Sequence, residues 1–390
     1  MTERPIVKVN QKAAARVASG HPWIFSSDVV DRGGATPGST VAVIDSRGRP
    51  LGTADYSSSS QISLRLLSRR AEPVDRAWLT HKLEAALDLR RRLVTDTDAC
   101  RLVYGEGDGL PGLVVDRYAG CLVLQALDQA MDRRTPLIVE CLQALLSPAA
   151  IVARNDVPVR SKENLALETK LLAGELPESL QVRINGFVFN ADLLHGQKTA
   201  IYLDQRENYR AAARYARGRA LDCFTSTGGF ALHMAPRVES VEAVDSSAAA
   251  LLLAEGNRAA NDLSNIHFRE ADVFELLAGY TAAGRKFSTI VLDPPAFAKS
   301  RGALEGAVRG YKEINLRALK LLEPGGVLVT CSCSHHLSEG MFLELVAEAS
   351  LDAGRPLRVL ERRTQAQDHP ILLTVPETHY LKCLILEAAG

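Results

Sequence analysis

The chain has 390 residues, 46% hydrophobic and 24% charged, with 46 basic and 46 acidic side chains. That length predicts roughly two or three domains able to bury sizeable cores, and the composition is that of an ordinary soluble globular protein. The formal net charge of zero neither requires nor excludes a nucleic-acid partner. No window approaches a membrane-spanning apolar run, and the opening "MTERPIVKVNQK" lacks a signal-peptide core, so a cytoplasmic location without membrane contact is expected. The seven cysteines are scattered except for Cys331 and Cys333, which points to a reduced compartment rather than a disulfide framework.

Residues 1–72 are expected to form a small β-rich domain. "PIVKV", "STVAVID" and "QISLRLL" read as short strands, broken by Gly, Pro, Asp and Ser, with one helix over "NQKAAARVASG". Its first 70 residues hold ten Lys/Arg against five acids, a local excess that would suit phosphates or serve only as a solvated surface. Residues 73–184 are expected to form a small central α+β domain. It begins with a linking helix over 76–94 and continues through "LVYGEGDGLPGLVVDRYAGCLVLQAL" as strand-like pieces. The helix "TPLIVECLQALL", "AIVARND" and a hairpin over "LQVRINGFVFNADL" complete this second unit.

From 210 onward strands, turns and helices alternate: "RALDCF", "SVEAVD", "IHFREAD", "FSTIVLDPP" and "GGVLVTCSC" are each followed by a helical stretch. Such alternation predicts an open parallel sheet with helices on both faces and a ligand at the strands' carboxyl ends. The first strand ends at Asp222 and leads through Thr227, Gly228 and Gly229 into a helix. The spacing differs from G-x-G-x-x-G, so a dinucleotide pyrophosphate is excluded and a nucleoside-bearing ligand fits better. Asp245, ending the second strand, could accept both ribose hydroxyls; Asp272, ending the third, could meet an adenine amine. Each acid alone also reads as a loop residue or N-cap, but three at successive strand ends form a pattern. Pro294 and Pro295 stiffen the turn after the fourth strand and aim Asp293 into the same cleft. Phe297 could stack on a base or tuck onto the core.

These motifs, over about 185–387, resemble class I S-adenosylmethionine-dependent methyltransferases. "HGQKTAIYLDQRENYR", "GHPWIFSSDV" and "YGEGDGLPGLVVDRY" extend the resemblance over nearly the whole chain, to the 23S rRNA cytosine-C5 methyltransferases of the large subunit. The resemblance implies a PUA-like RNA-binding domain and a central domain, then a Rossmann-like catalytic domain over 185–390. S-adenosylmethionine is the implied cofactor, bound by Asp222, Phe224, Thr227, Gly228, Gly229, Asp245, Asp272 and Gln205. The implied partner is 23S rRNA or a large-subunit assembly particle, contacted through Phe297 and Lys299. A homodimer is left open.

The stretch "CSCSHH" (331–336) must then be assigned. Alternation along a strand would put Cys331 and Cys333 on one face. Thiols so placed suit tetrahedral zinc badly, and a disulfide two residues apart would be strained, so no metal is expected. Cytosine C5 needs activation before it accepts a methyl group, and a thiolate adding at C6 supplies it. In the family the pair matching Cys333-Ser334 is the one usually retained. Cys333 is therefore the expected nucleophile, with Cys331 as a core thiol or secondary candidate, and Asp293 on the cytosine N3 edge. Two other readings stay open: a purine N-methyltransferase, which would not need Cys333, and a non-catalytic RNA-binding assembly factor.

Overall fold

The computed structural model describes residues 4–196, 199–298 and 301–389. They form two compact units, one of residues 1–182, 191–201 and 367–378, the other of 183–190, 202–366 and 379–390.

The first unit contains two sheets. The N-terminal sheet has six strands between Ile6 and Ser68, and burial alternates along them: Ile6–Val9 buries Val7 and Val9, Thr40–Ile44 buries Val41 and Val43. Asn10 caps the helix Gln11–Ala18 by accepting the Ala13 N–H, which leaves Ala13, Ala14 and Val17 facing the core.

The second sheet, of five strands between Ala99 and Gly174, packs against the helices Arg76–Leu93 and Gln129–Leu146. The latter starts before the helical stretch expected from Thr135, because Asp128 caps it and accepts the N–H groups of Ala130 and Met131; Pro136 is tolerated inside it.

Buried ion pairs weld the two sheets. Arg65 lies 2.9 Å from Glu163 and 3.5 Å from Asp128, and Arg134 grips Asp55 through both terminal guanidinium nitrogens. Burial pushes the Asp128 carboxyl up to about 6, with Arg65 opposing the shift.

The hairpin Gln181–Ile184 and Phe187–Asn190 turns at Asn185 and Gly186, both with positive φ, as a tight hairpin requires. The sequence counted the hairpin with the central elements while drawing the domain boundary inside it, at 184/185; residues 183–190 group with the second unit. Val188 N–H donates to Asn261 and Asn190 N–H to Asn257, so its backbone is satisfied by a helix of that unit.

The second unit is built on a seven-stranded sheet, numbered here as β1 (Arg219–Cys223), β2 (Ser240–Asp245), β3 (Ile266–Glu270), β4 (Phe287–Leu292), β5 (Leu322–Ser332), β6 (Leu357–Arg363) and β7 (Lys382–Ala388). The order is β3-β2-β1-β4-β5-β7-β6; β1 to β5 are parallel, and β7 runs antiparallel to both neighbours. This is the doubly wound Rossmann-like sheet that the alternation predicts. β4 and β5 read as near-continuous apolar runs because both of their faces are covered. Among the described residues no helix is long and apolar enough to cross a membrane.

Removing one member of a buried charge group leaves the others uncompensated. Arg65→Ala should therefore destabilise the first unit by about 3–5 kcal/mol, read as a lowered denaturation midpoint; an unchanged midpoint would show that the weld is not needed.

Candidate active site

The sheet order reverses between β1 and β4, with β2 and β3 on one side and β5 beyond the other. In open parallel sheets this point leaves a crevice at the carboxyl ends of the strands.

The turn out of β1 is strained and tightly held. Phe224 and Ser226 have φ of 64° and 50°, the left-handed region that non-glycine residues rarely adopt. Gly228, at φ 86°, leads into the helix Gly229–Met234; glycine is needed there for that angle. The Thr227 carbonyl is fixed by the Asn257 side chain, and Phe224 packs half-buried against the core. Asp245 accepts the N–H of Ser226 on one oxygen and that of Ser247 on the other, each at 2.9 Å, so the end of β2 positions the turn after β1.

Asp222 is fully buried. Its Oδ2 accepts the Thr225 hydroxyl at 2.6 Å and the Ala231 N–H at 3.0 Å, while Oδ1 is buried with no hydrogen-bond partner. Burial, then the nearby charges of Asp293 and Asp245, push this carboxyl up to about 7, against the Thr225 and Ala231 hydrogen bonds. The charges of Asp293 and Asp245 therefore reach Asp222.

Other expected residues have visible structural work. A Cβ on Gly229 would lie 2.3 Å from the Tyr209 ring, so this glycine makes room for a tyrosine. Asp272 is an exposed N-cap accepting the Glu275 N–H. Phe297 packs on Tyr311, ring centroids 4.6 Å apart, and on Phe274, which is the core position left open by the sequence. Gln205, expected among the cofactor contacts, is buried and donates to Asp293 Oδ1 at 2.9 Å, while the Asn208 side chain donates to its Oε1. Lys299 lies outside the described residues.

The two cysteines are separated in kind. Strand pairing stops at Ser332, so the alternation expected to carry through to Cys333 ends one residue short. Cys331 is fully buried opposite Cys383 of β7; burial and Cys383 push its thiol well up. Cys333 is half-buried just beyond β5, its Sγ 3.9 Å from the Pro294 carbonyl oxygen in the Asp293-Pro-Pro turn. Ser334 joins the two loops: its Oγ accepts the Ala298 N–H at 3.2 Å and lies 3.0 Å from the Tyr311 hydroxyl. His335 and His336 are exposed, and among the described residues no group of three or more His, Cys, Asp or Glu could hold a metal ion.

Sequence reasoning missed Tyr202, Tyr311, Ser334 and Lys382. The Tyr202 phenol is pushed up by burial and then by Asp293, Asp204 and Cys333. Tyr202 lies in the quoted "IYLDQRENYR", and Tyr311 on a helix whose apolar face reads as core; neither spacing marks a site.

A PUA-like domain profile matches residues 7–69, and an S-adenosylmethionine-dependent methyltransferase profile matches residues 101–385. The chain is 42% identical over 375 residues to the "Ribosomal RNA large subunit methyltransferase I" of Shewanella denitrificans, covering 94% of each chain. The protein of the same name from Tolumonas auensis is 42% identical over 378 residues, covering 94% of this chain and 95% of its own. Among solved structures, SMU.776 complexed with SAH superposes with a TM-score of 0.85 at 19% identity, covering 98% of this chain and all of that one; at that identity the likeness is one of fold. The chain belongs to the ribosomal RNA large subunit methyltransferase I family of S-adenosylmethionine-dependent methyltransferases.

Proposed function

We propose that this protein transfers a methyl group from S-adenosylmethionine to C5 of a cytosine in 23S ribosomal RNA, with Cys333 as the covalent nucleophile. The relatives' name supports a large-subunit RNA substrate. The observation that carries the choice of residue is the contrast between the thiols: Cys333 is accessible beside the Asp293-Pro-Pro turn, whereas Cys331 is fully buried. The half-buried Phe297 beside that turn keeps a purine N-methyltransferase as the second reading.

The crevice fits the cofactor on its own chemistry. Asp222 Oδ1 is an orphaned buried acceptor, and three carboxylates facing one cleft suit a ligand carrying positive charge. S-adenosylmethionine supplies an electrophilic methyl group on a sulfonium. In the proposal the turn at Phe224, Thr227, Gly228 and Gly229 lies against it, Asp245 accepts from its ribose, and Asp272 stands near its adenine.

The Cys333 thiolate bonds to cytosine C6, pushing an electron pair toward C5, and Asp293 holds the N3 edge. C5 then takes the methyl group. Loss of the C5 proton to a base or water returns the electron pair, breaks the C6–S bond and releases the thiolate. Gln205, bonded to Asp293, fixes that carboxylate's orientation.

Residues 1–72 are the proposed RNA-docking domain, 73–184 the platform joined to it, and 185–390 the catalytic domain; Lys299 is retained as a substrate contact and no dimer is required. Several N-terminal cations are already engaged: Arg16 with Asp28, Arg49 with Asp45 and Arg65 with Glu163. Lys12, Arg32, Arg47 and Arg70 are exposed and make up the proposed phosphate-facing set.

Neutralising these four residues should weaken binding to long RNA and flatten its salt dependence by about one unit of slope per lost phosphate contact; an unchanged slope would remove them from the interface. Asp245→Ala should weaken S-adenosylmethionine binding by about 1–3 kcal/mol in calorimetry, and unchanged affinity would contradict the assigned pocket. Cys333→Ala should bind cofactor and RNA yet lose turnover, whereas Cys331→Ala keeps it. Mass-spectrometric mapping of methylated nucleosides should find 5-methylcytosine. Full activity without both thiols, with the methyl group on a purine, would establish the second reading.

A further inference from the structure

A buried cation at the far end of the chain is not used by the mechanism above. Lys382 opens β7 directly opposite Ser332, the last residue of β5, and is only 4% exposed. Its Nζ donates to the carbonyl oxygens of Ser334 and Tyr380, each at 2.7 Å. It is thus tied to residues on both sides of Cys333: Ser332 by strand register and Ser334 by a hydrogen bond.

An ammonium has three N–H donors, and the two carbonyls use two. Among the described residues no carboxylate pairs with Lys382. Buried charges are ordinarily paired, because an uncompensated one is costly. Cys333 and Glu339 are the acidic groups whose charge acts on this ammonium, and Glu339 is itself engaged by Arg362.

We propose that Lys382 is the standing counter-charge of the Cys333 thiolate, a positioning residue that makes this thiol the reactive one. The inference rests on the reading of Cys333 as the nucleophile. The thiol's proton leaves to solvent, and Lys382 keeps its own throughout. Burial pulls the ammonium down to about 8, with Cys333 and Glu339 opposing the shift, so it remains largely charged at neutral pH.

The other groups around the thiol do not supply this charge. Asp293, in the turn whose Pro294 carbonyl meets Sγ, carries the opposite sign. Tyr202 and Tyr311 are both pushed up and stay neutral. His335 and His336 are exposed to water, a setting in which charge is screened. A fixed cation held in a dry setting lowers a thiol's pKa far more effectively than an exposed one.

The test is the rate at which iodoacetamide alkylates Cys333 in the full-length protein across about pH 6 to 10, followed by peptide mass spectrometry. Wild-type Cys333 should titrate below the free-thiol value of about 8.5. Lys382→Met should raise that midpoint by about one pH unit and slow methylation at neutral pH about tenfold, and Lys382→Arg should restore both. Lys382→Gln, which keeps a donor for the Ser334 carbonyl, replaces the Met variant if that fails to fold, with the same shift expected. Equal midpoints in wild type and the neutral variants would overturn the proposal, even if activity fell, because Lys382 would then be only a strap. The readout needs neither RNA nor methyl donor. A shifted midpoint alongside a fully active Cys333→Ala enzyme would therefore refute the nucleophile while leaving the charge pair intact.

Discussion

The catalytic unit is organised around a carboxylate that water does not reach. Asp222, next to last in β1, is fully buried, and one of its oxygens holds both the Thr225 hydroxyl and the Ala231 backbone. The left-handed residues Phe224, Ser226 and Gly228 lie between those anchors, and Asp245 holds the same turn from β2. A buried acid facing other acids opposes folding; here its second oxygen is left without a partner. A ligand with positive charge relieves that opposition, so the strain and charge concentrated at the end of β1 are what a sulfonium-bearing cofactor can use.

The same economy joins the two reaction loops. The Asp293 turn leaves β4 and the Cys333 loop leaves the adjacent β5. Ser334, the Tyr311 hydroxyl and the Ala298 N–H bind the loops together, while Gln205 ties Asp293 to Asn208. Cys333 and Asp293, the proposed nucleophile and the proposed partner of the cytosine edge, are thereby held on one frame, and β7 adds the Lys382 ammonium from the antiparallel side. In the first unit Arg65 and Arg134 perform the corresponding task, holding the N-terminal and central sheets as one body.

The order of strands and helices was legible because parallel strands covered on both faces read as apolar runs such as "FSTIVL" and "GGVLVTCS". The caps Asp75, Asp128 and Ser338 were not read from the sequence: each opens its helix, and Asp128 starts its helix ahead of the expected stretch. The acids at strand ends were legible for the same reason: position after a strand is a one-dimensional property. What escaped depends on pairing distant in sequence. Gly229 reads as a ligand turn, yet its missing Cβ is filled by Tyr209 from an upstream helix. Gln205 reads as a cofactor contact, and its bond to Asp293, 88 residues away, is not visible in the sequence. Nothing in "THYLKCLILEA" reveals that Lys382 meets Ser334, because only the β5–β7 register brings them together. Pairing of β5 ends where Ser332 lies opposite Lys382, the first residue of β7, and that end separates Cys333 from Cys331.

A covalent cysteine adduct on cytosine can be trapped directly. Transcribed 23S RNA carrying 5-fluorocytidine in place of cytidine should form a denaturation-stable, S-adenosylmethionine-dependent adduct, since fluorine cannot leave C5 as a proton does. Peptide mapping should place the nucleotide on Cys333. No adduct under conditions that methylate unsubstituted RNA, or an adduct on another residue, would contradict the account.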